Sequence, residues 1–427
     1  MSGGGGVDCS PVPSAEIYNK HDPGDLPINR STTELIVIIA LLTMVAPFSI
    51  DTYLPSFPDI GRELAASGAQ MQQTLSLYLV GFAVMTLVYG PLSDAFGRRR
   101  VILVAMVVYV ATSVGCAMAS DYHWLLAMRI GQGLSASGGL IVGRAVVRDA
   151  FSGSRAQRAM SNVMLVFALA PAVAPIIGGW LHSVAGWRSV FWFLTGLGVF
   201  LWLLVAMRLP ETLPPQSRHS PHPVQIARSY RRALSTRRFI MLIAIFALNF
   251  GGFFLYIAGS PVLIYDFLHL GAHDFWRMFV PLVVCLMLGA FLSGRLAGRC
   301  TPAQTAAIGA LLMIAGAGIN LLSSSLLPPS PLTLIGPLAI YVTGMALSMP
   351  SVTLLVLDVF PHHRGLSAAL QGFVQTLFNS IVAGAITPLV SVRPITMAAT
   401  MLGLNLCALL LWMVWYRVYR HATPVDV

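Results

Sequence analysis

Charge is what this chain of 427 residues has least of: Asp, Glu, Lys and Arg together make up only 10% of it. A soluble domain carries about 25%, because ionic groups must cover the surface of the globule. The deficit excludes a soluble protein. Lysine is nearly absent, with Lys20 alone against 25 arginines. The five cysteines (Cys9, Cys116, Cys285, Cys300, Cys407) are scattered, with no CxxC and no Cys/His ligand spacing. Neither a disulfide framework nor a zinc site is expected. GxxxxGK(S/T), HExxH and GxSxG are also missing, which argues against an ATP-driven pump domain and the familiar metalloprotease and esterase sites. The pair His362-His363 reads as a loop feature rather than a metal site, so no metal or cofactor is expected.

What fills the chain is apolar sequence, 56% of all residues. It falls into runs of about 20 residues, the length that spans the hydrocarbon core of a bilayer. Twelve are discernible: 35–57, 72–92, 101–119, 124–147, 160–183, 188–207, 239–262, 276–297, 303–323, 331–356, 366–390 and 395–416. None alternates with the period of a membrane β-strand. The expected fold is an all-α membrane protein whose twelve transmembrane helices form two pseudo-symmetric six-helix bundles. The segments are a disordered tail (1–33), an N-terminal bundle (34–207), a linker loop (208–238), a C-terminal bundle (239–416) and a short tail (417–427). PETLPP and RHSPHP in the linker resist packing. An internal repeat supports the division: Asp149-Ala-Phe151 followed by Arg155 recurs, 209 residues on, as Asp358-Val-Phe360 followed by Arg364. Two six-helix halves around a midplane site is a transporter architecture.

The net charge of +10 is a matter of topology rather than of nucleic acid. Twenty-one positive groups fall on one side of the helices, among them Arg98–Arg100, the linker arginines and Arg417; only Arg62, Arg188, Arg277 and Arg393 fall on the other. The positive-inside rule puts both termini in the cytoplasm.

Ionisable groups deep in membrane helices are usually functional. Asp51 in the first helix and Arg129 in the fourth both lie about 7–9 Å below the outer boundary at 1.5 Å per residue. The expectation is that they face one another across a cavity, the carboxyl exchanging a proton beside the guanidinium. Glu34 reads as interfacial. Tyr53, Tyr78, Gln132, Asn249, Tyr256, Gln375 and Asn379 are candidate cavity-lining residues, each with a packing role as its alternative. Gly90-Pro-Leu-Ser-Asp94-Ala-Phe-Gly97-Arg98-Arg99-Arg100 joins helices 2 and 3. Its glycines allow a tight turn, and Asp94 is expected to accept from the free N–H groups at the start of helix 11, near Gly365. In helix 5, Pro171, Pro175, Gly178 and Gly179 point to a bent helix with close contacts that rocks or seals a path.

These motifs resemble those of a known family. GPLSDAFGRRR at 90–100 resembles the signature loop of the major facilitator superfamily, Arg129-Ile-Gly-Gln-Gly133 its helix 4 motif, and APAVAPIIGG at 170–179 the helix 5 motif of its antiporters. Ser49-Ile-Asp51-Thr-Tyr53-Leu-Pro55-Ser-Phe-Pro58, Trp187-Arg188-Ser-Val-Phe191-Trp192, Pro210-Glu211-Thr-Leu-Pro214-Pro215 and Ala258-Gly-Ser260-Pro261 are similar to the Bcr/CflA drug-efflux branch. The resemblance implies proton-coupled export of chloramphenicol- or bicyclomycin-type compounds across a bacterial inner membrane. It places Asp51 at the helix 1 acid position and makes Arg129 the helix 4 arginine. The expected partners are a small drug, protons and lipid, with no cofactor and with the protein a monomer. The alternative on the same fold is an exporter of an endogenous metabolite.

Overall fold

The computed structural model describes residues 32–218 and 223–419. Nearly all of the expected tail (1–33), Arg420 and most of RHSPHP lie outside the described residues. Twelve helices are long and apolar enough to cross a membrane. In the N-terminal half they are α1 (Thr32–Asp51), α2 (Gly68–Phe96), α3 (Arg98–Ala117), α4 (Tyr122–Ala150), α5 (Gly153–Ala185) and α6 (Arg188–Arg208). In the C-terminal half they are α7 (Arg237–Ala258), α8 (Trp276–Leu296), α9 (Pro302–Leu326), α10 (Pro331–Leu357), α11 (Arg364–Ile381) and α12 (Pro394–Tyr419).

Local sequence explains where helices start. Ser67 and Gln70 close a reciprocal capping box on α2, and Thr301 with Gln304 does the same for α9. Asp121 accepts from the Trp124 amide at 2.9 Å to open α4. Two spans are broken where the apolar runs suggested continuous helix. Regular helix in α1 stops at Asp51, and short helical pieces at Leu54–Ser56 and Phe57–Glu63 carry the span to Glu63. Pro55 and Pro58 lack the N–H groups that continued helix needs. Asp51 therefore sits at a break inside the span, deeper than a helix ending at residue 57 implies. In α11 a π-helical stretch, Val382–Ile386, separates Ile381 from the last turn, Thr387–Val390.

The linker also departs from expectation. It holds a helix over Pro223–Ser235. Ala233 of this helix is buried with Phe239 and Phe360.

Each bundle packs through small residues. A Cβ at Gly133 would overlap the Tyr78 carbonyl, and one at Gly139 would crowd that of Leu42, so α4 lies directly on α2 and α1. Gly309 and Gly344 bring α9 and α10 together in the same way. Large apolar side chains such as Trp180, Phe200, Phe291, Leu311 and Leu410 face outward, as a lipid-facing surface requires. Glu34 pairs with Arg208 at 3.1 Å at the arginine-rich end.

Three hydrogen bonds between described residues join the bundles directly, all at the arginine-poor end. Gln72 donates to the Ala258 carbonyl (2.8 Å), Ser76 to that of Ser380 (2.7 Å), and Tyr265 to that of Pro55 (2.6 Å). The halves are latched at that end.

Candidate functional site

The chemistry gathers inside the N-terminal bundle, around Arg129. This side chain is fully buried. Its Nη1 donates to the Ser49 carbonyl of α1 at 3.0 Å and to Gln132 Oε1 at 2.5 Å. Gln132 Nε2 in turn donates to Ser113 of α3 at 2.8 Å. The guanidinium lies 4.6 Å from the centroid of the Tyr53 ring and 4.4 Å from that of Tyr78. Two aromatic faces therefore share the cation, and each such contact is favourable by about 0.5–2 kcal/mol. The Tyr53 ring is held in turn by its hydroxyl, which meets Thr74 at 2.9 Å, and Tyr109 of α3 meets Ser49 Oγ at 2.7 Å beside the arginine's carbonyl partner. Sequence reasoning named Arg129, Gln132, Tyr53 and Tyr78. It missed Ser49, Tyr109 and Ser113, which are common residue types in membrane helices with no signal of their own.

Asp51 differs from its expected placement. It is 4% exposed and makes no hydrogen bond or ion pair among the described residues. Arg129 is engaged on either side of Asp51 instead, by the Ser49 backbone carbonyl within α1 and by the Tyr53 ring just past the end of that helix. The acid and the arginine are close in the bundle but are not a pair. Arg129 Nε and Nη2 have no hydrogen-bond partner among the described residues.

The second-half candidates separate into two groups. Asn249 and Tyr256 find their side-chain partners within the C-terminal bundle. Asn249 Oδ1 accepts from Asn405 of α12 at 3.1 Å, and the Tyr256 hydroxyl accepts from Asn320 of α9 at 2.5 Å. Tyr341 of α10 donates to the Asn249 carbonyl at 2.8 Å. These groups form a polar seam within the C-terminal bundle, because a polar side chain in a helix facing other helices finds its partners there. A cavity of about 10 Å³, lined by Asn249, Ser348 and Asn405 among others, is roughly the size of one water. Gln375 and Asn379 of α11 stay available instead. Gln375 is half-buried with no hydrogen bond among the described residues, and the buried Asn379 Oδ1 is unpartnered.

The loop between α2 and α3 is built on Gly97, whose φ of 94° favours glycine, while Gly90 faces open space. Asp94 does not reach α11. It pairs with Arg98 at 2.6 Å, because Arg98 stands one turn on and is the nearer donor. Arg98 also reaches Asp149 of α4 at 2.9 Å and Ser93 Oγ at 2.6 Å, and Arg99 donates to the Ala206 carbonyl. The free amides at the start of α3 are taken by Glu211: its carboxylate accepts from Arg98 N (2.8 Å), Arg99 N (3.2 Å) and Leu213 N (3.1 Å). The PETL segment thus caps the loop.

Helix α5 runs through Pro171 and Pro175 without a break in its assignment. A Cβ at Gly178 would overlap the Thr52 carbonyl, one residue from Asp51, and a Cβ at Gly179 would overlap that of Ala272 just before α8. The two glycines seat α5 between the break in α1 and the other bundle, at the latched end.

Residues 39–383 match the model of the Major Facilitator Superfamily. The MFS-type transporter YdgK of Bacillus subtilis is 31% identical over 87% of this chain and 91% of its own. The bicyclomycin resistance protein homolog of Haemophilus influenzae is 30% identical over 62% of this chain and 67% of its own. A bacterial homologue of the human lysosomal transporter Spinster, crystallised in an inward-facing, unoccupied conformation, superposes with a TM-score of 0.72 at 16% identity, over 93% of this chain and all of its own. The fold and these relatives agree: the chain belongs to the Major Facilitator Superfamily and is a membrane transporter rather than an enzyme.

Proposed function

We propose that this transporter exports small amphipathic drugs, of chloramphenicol or bicyclomycin type, in exchange for protons across a bacterial inner membrane. One observation carries the reading: Asp51 is an acid inside a membrane span, buried yet unpaired, at a helix break beside a caged arginine. Such a group is expensive to keep charged at membrane depth and is retained for a task. Proton exchange is the task a lone carboxyl performs. The bicyclomycin resistance relative supports drugs as the cargo.

The arginine bias favours a cytoplasmic location for the arginine-rich end and both termini. The latched end then faces outward, and in this scheme drug enters from the arginine-rich end. Release of the latch opens the same site outward, where drug leaves and a proton enters. Each proton returning down 100 mV supplies about 2.3 kcal/mol. No cofactor enters the scheme, and one chain suffices.

The test is drug susceptibility of cells expressing the chain, with and without a proton uncoupler. Resistance that vanishes with the gradient is expected. Resistance that survives its collapse would argue against antiport.

A further inference from the structure

The linker helix Pro223–Ser235 carries a charged face with no ion-pair partner among the described residues. Arg228, Arg231 and Arg232 recur at i, i+3 and i+4, so they share one side of the helix, and all three are exposed. Arg237, the first residue of α7, is exposed beside them. None of the four joins an ion pair among the described residues. The nearby acids are engaged elsewhere: Asp358 pairs with Arg364, and Glu211 caps α3. Like charges at this spacing repel one another and weaken the helix, so the face calls for an anionic counterpart.

The other side of the helix fixes where that face points. Ala233 is fully buried against the C-terminal bundle, and the Tyr230 hydroxyl donates to the Leu87 carbonyl of α2 at 3.3 Å. Leu234, next to the arginines, is exposed, and so is Ile240, within the first turn of α7. The guanidinium groups therefore stand where the chain enters the apolar layer, with apolar side chains beside them. That combination fits a lipid surface, whereas a nucleic-acid surface has no use for the apolar flank.

We infer that the linker helix is a recognition surface for anionic phospholipid headgroups, bound through Arg228, Arg231, Arg232 and Arg237. A guanidinium fork matches phosphate oxygens bidentately, and basic residues at a membrane boundary gain from anionic lipid. The inference does not depend on the cargo or on proton coupling.

The full chain in detergent, titrated with phosphatidylglycerol or phosphatidylcholine and read by native mass spectrometry, tests it. Phosphatidylglycerol should bind in preference. Arg231→Gln should weaken it about fivefold and the triple change Arg228→Gln/Arg231→Gln/Arg232→Gln at least about tenfold, with phosphatidylcholine binding unchanged. The triple lysine variant should keep most of the preference, and Arg299→Gln, at the same end of the protein, should keep all of it. Unfolding temperatures in neutral lipid identify a misfolded triple variant, in which case the single variant decides. The inference is overturned if the glutamine variants bind phosphatidylglycerol as well as the parent. It is equally overturned if Arg299→Gln loses as much, or if inorganic phosphate or a short RNA displaces the lipid.

Discussion

Arg129 donates to the Ser49 carbonyl, and Asp51, two residues farther along the same helix, makes no ion pair with it. The arginine grips the backbone of α1 rather than its acid. It can thus fix the position of the helix while leaving the carboxyl free to change partners.

The cage around Arg129 depends on ring faces more than on hydroxyls. Tyr78→Phe keeps the face 4.4 Å from the guanidinium and loses a 3.5 Å contact to the Ala46 carbonyl and a hydroxyl contact with Ser49. It should transport and melt like the parent. Tyr78→Leu removes the face and should cost about 1–3 kcal/mol, a cation–π contact plus buried volume. Thermal unfolding in detergent checks both, and equal losses in the two variants would count against the cage.

Glu211→Gln removes the charge that holds two amides at the start of α3, those of Arg98 and Arg99, and the Leu213 amide of its own segment. The cost should be about 1 kcal/mol. Amide exchange at Arg98 and Arg99 should rise by roughly fivefold, as hydrogen-exchange mass spectrometry can measure. Unchanged exchange would mean that the cap is incidental.

At the latched end, Gly179→Ala forces a Cβ into the Ala272 carbonyl, a backbone atom that has to move. Overpacking of this kind costs about 1–3 kcal/mol, here against the latched form only. Gly196→Ala, which meets nothing within 4 Å, is the control. Spin-label distances across the arginine-poor end should gain a longer population in the first variant and stay unchanged in the second.

The Tyr265 hydroxyl supplies one of the three latch bonds. Burial, aided by the Asp59 carboxylate, raises its pKa above the ordinary phenol value. The bond is present below that raised value and lost only as pH climbs through it, well above the range in which cells operate. Tyr265→Phe should therefore shift the open population by about fivefold, the effect of a hydrogen bond of about 1 kcal/mol. The shift should be equal at pH 6 and pH 8. A shift confined to one pH would point to a titrating partner instead.

The spans were legible because a bilayer demands long apolar runs, and Arg129 because a charge inside such a run is conspicuous. The motif loops were legible through their spacing. The partner of Arg129 was not: the reading of Asp51 and Arg129 rested on depth, and depth does not say that a guanidinium will take a backbone carbonyl and ring faces in place of the acid. Asn249 and Tyr256 stayed open between lining and packing for a related reason, since polarity in a span marks either a cavity or a seam between neighbouring helices. The linker helix was hidden by the prolines around it, which read as resisting packing. The latch is invisible in sequence, because its acceptors are backbone carbonyls that every residue carries.

The most direct test of the central claim is drug-driven proton movement in vesicles containing purified protein, followed with an internal pH dye, for the parent and for Asp51→Asn. The substitution is nearly isosteric and breaks no bond among the described residues, so the variant should fold with stability within about 1 kcal/mol of the parent. Addition of chloramphenicol or bicyclomycin should move protons in the parent and none in Asp51→Asn. Parent-like proton movement in the variant would contradict the account, because the carboxyl would then carry no part of the exchange.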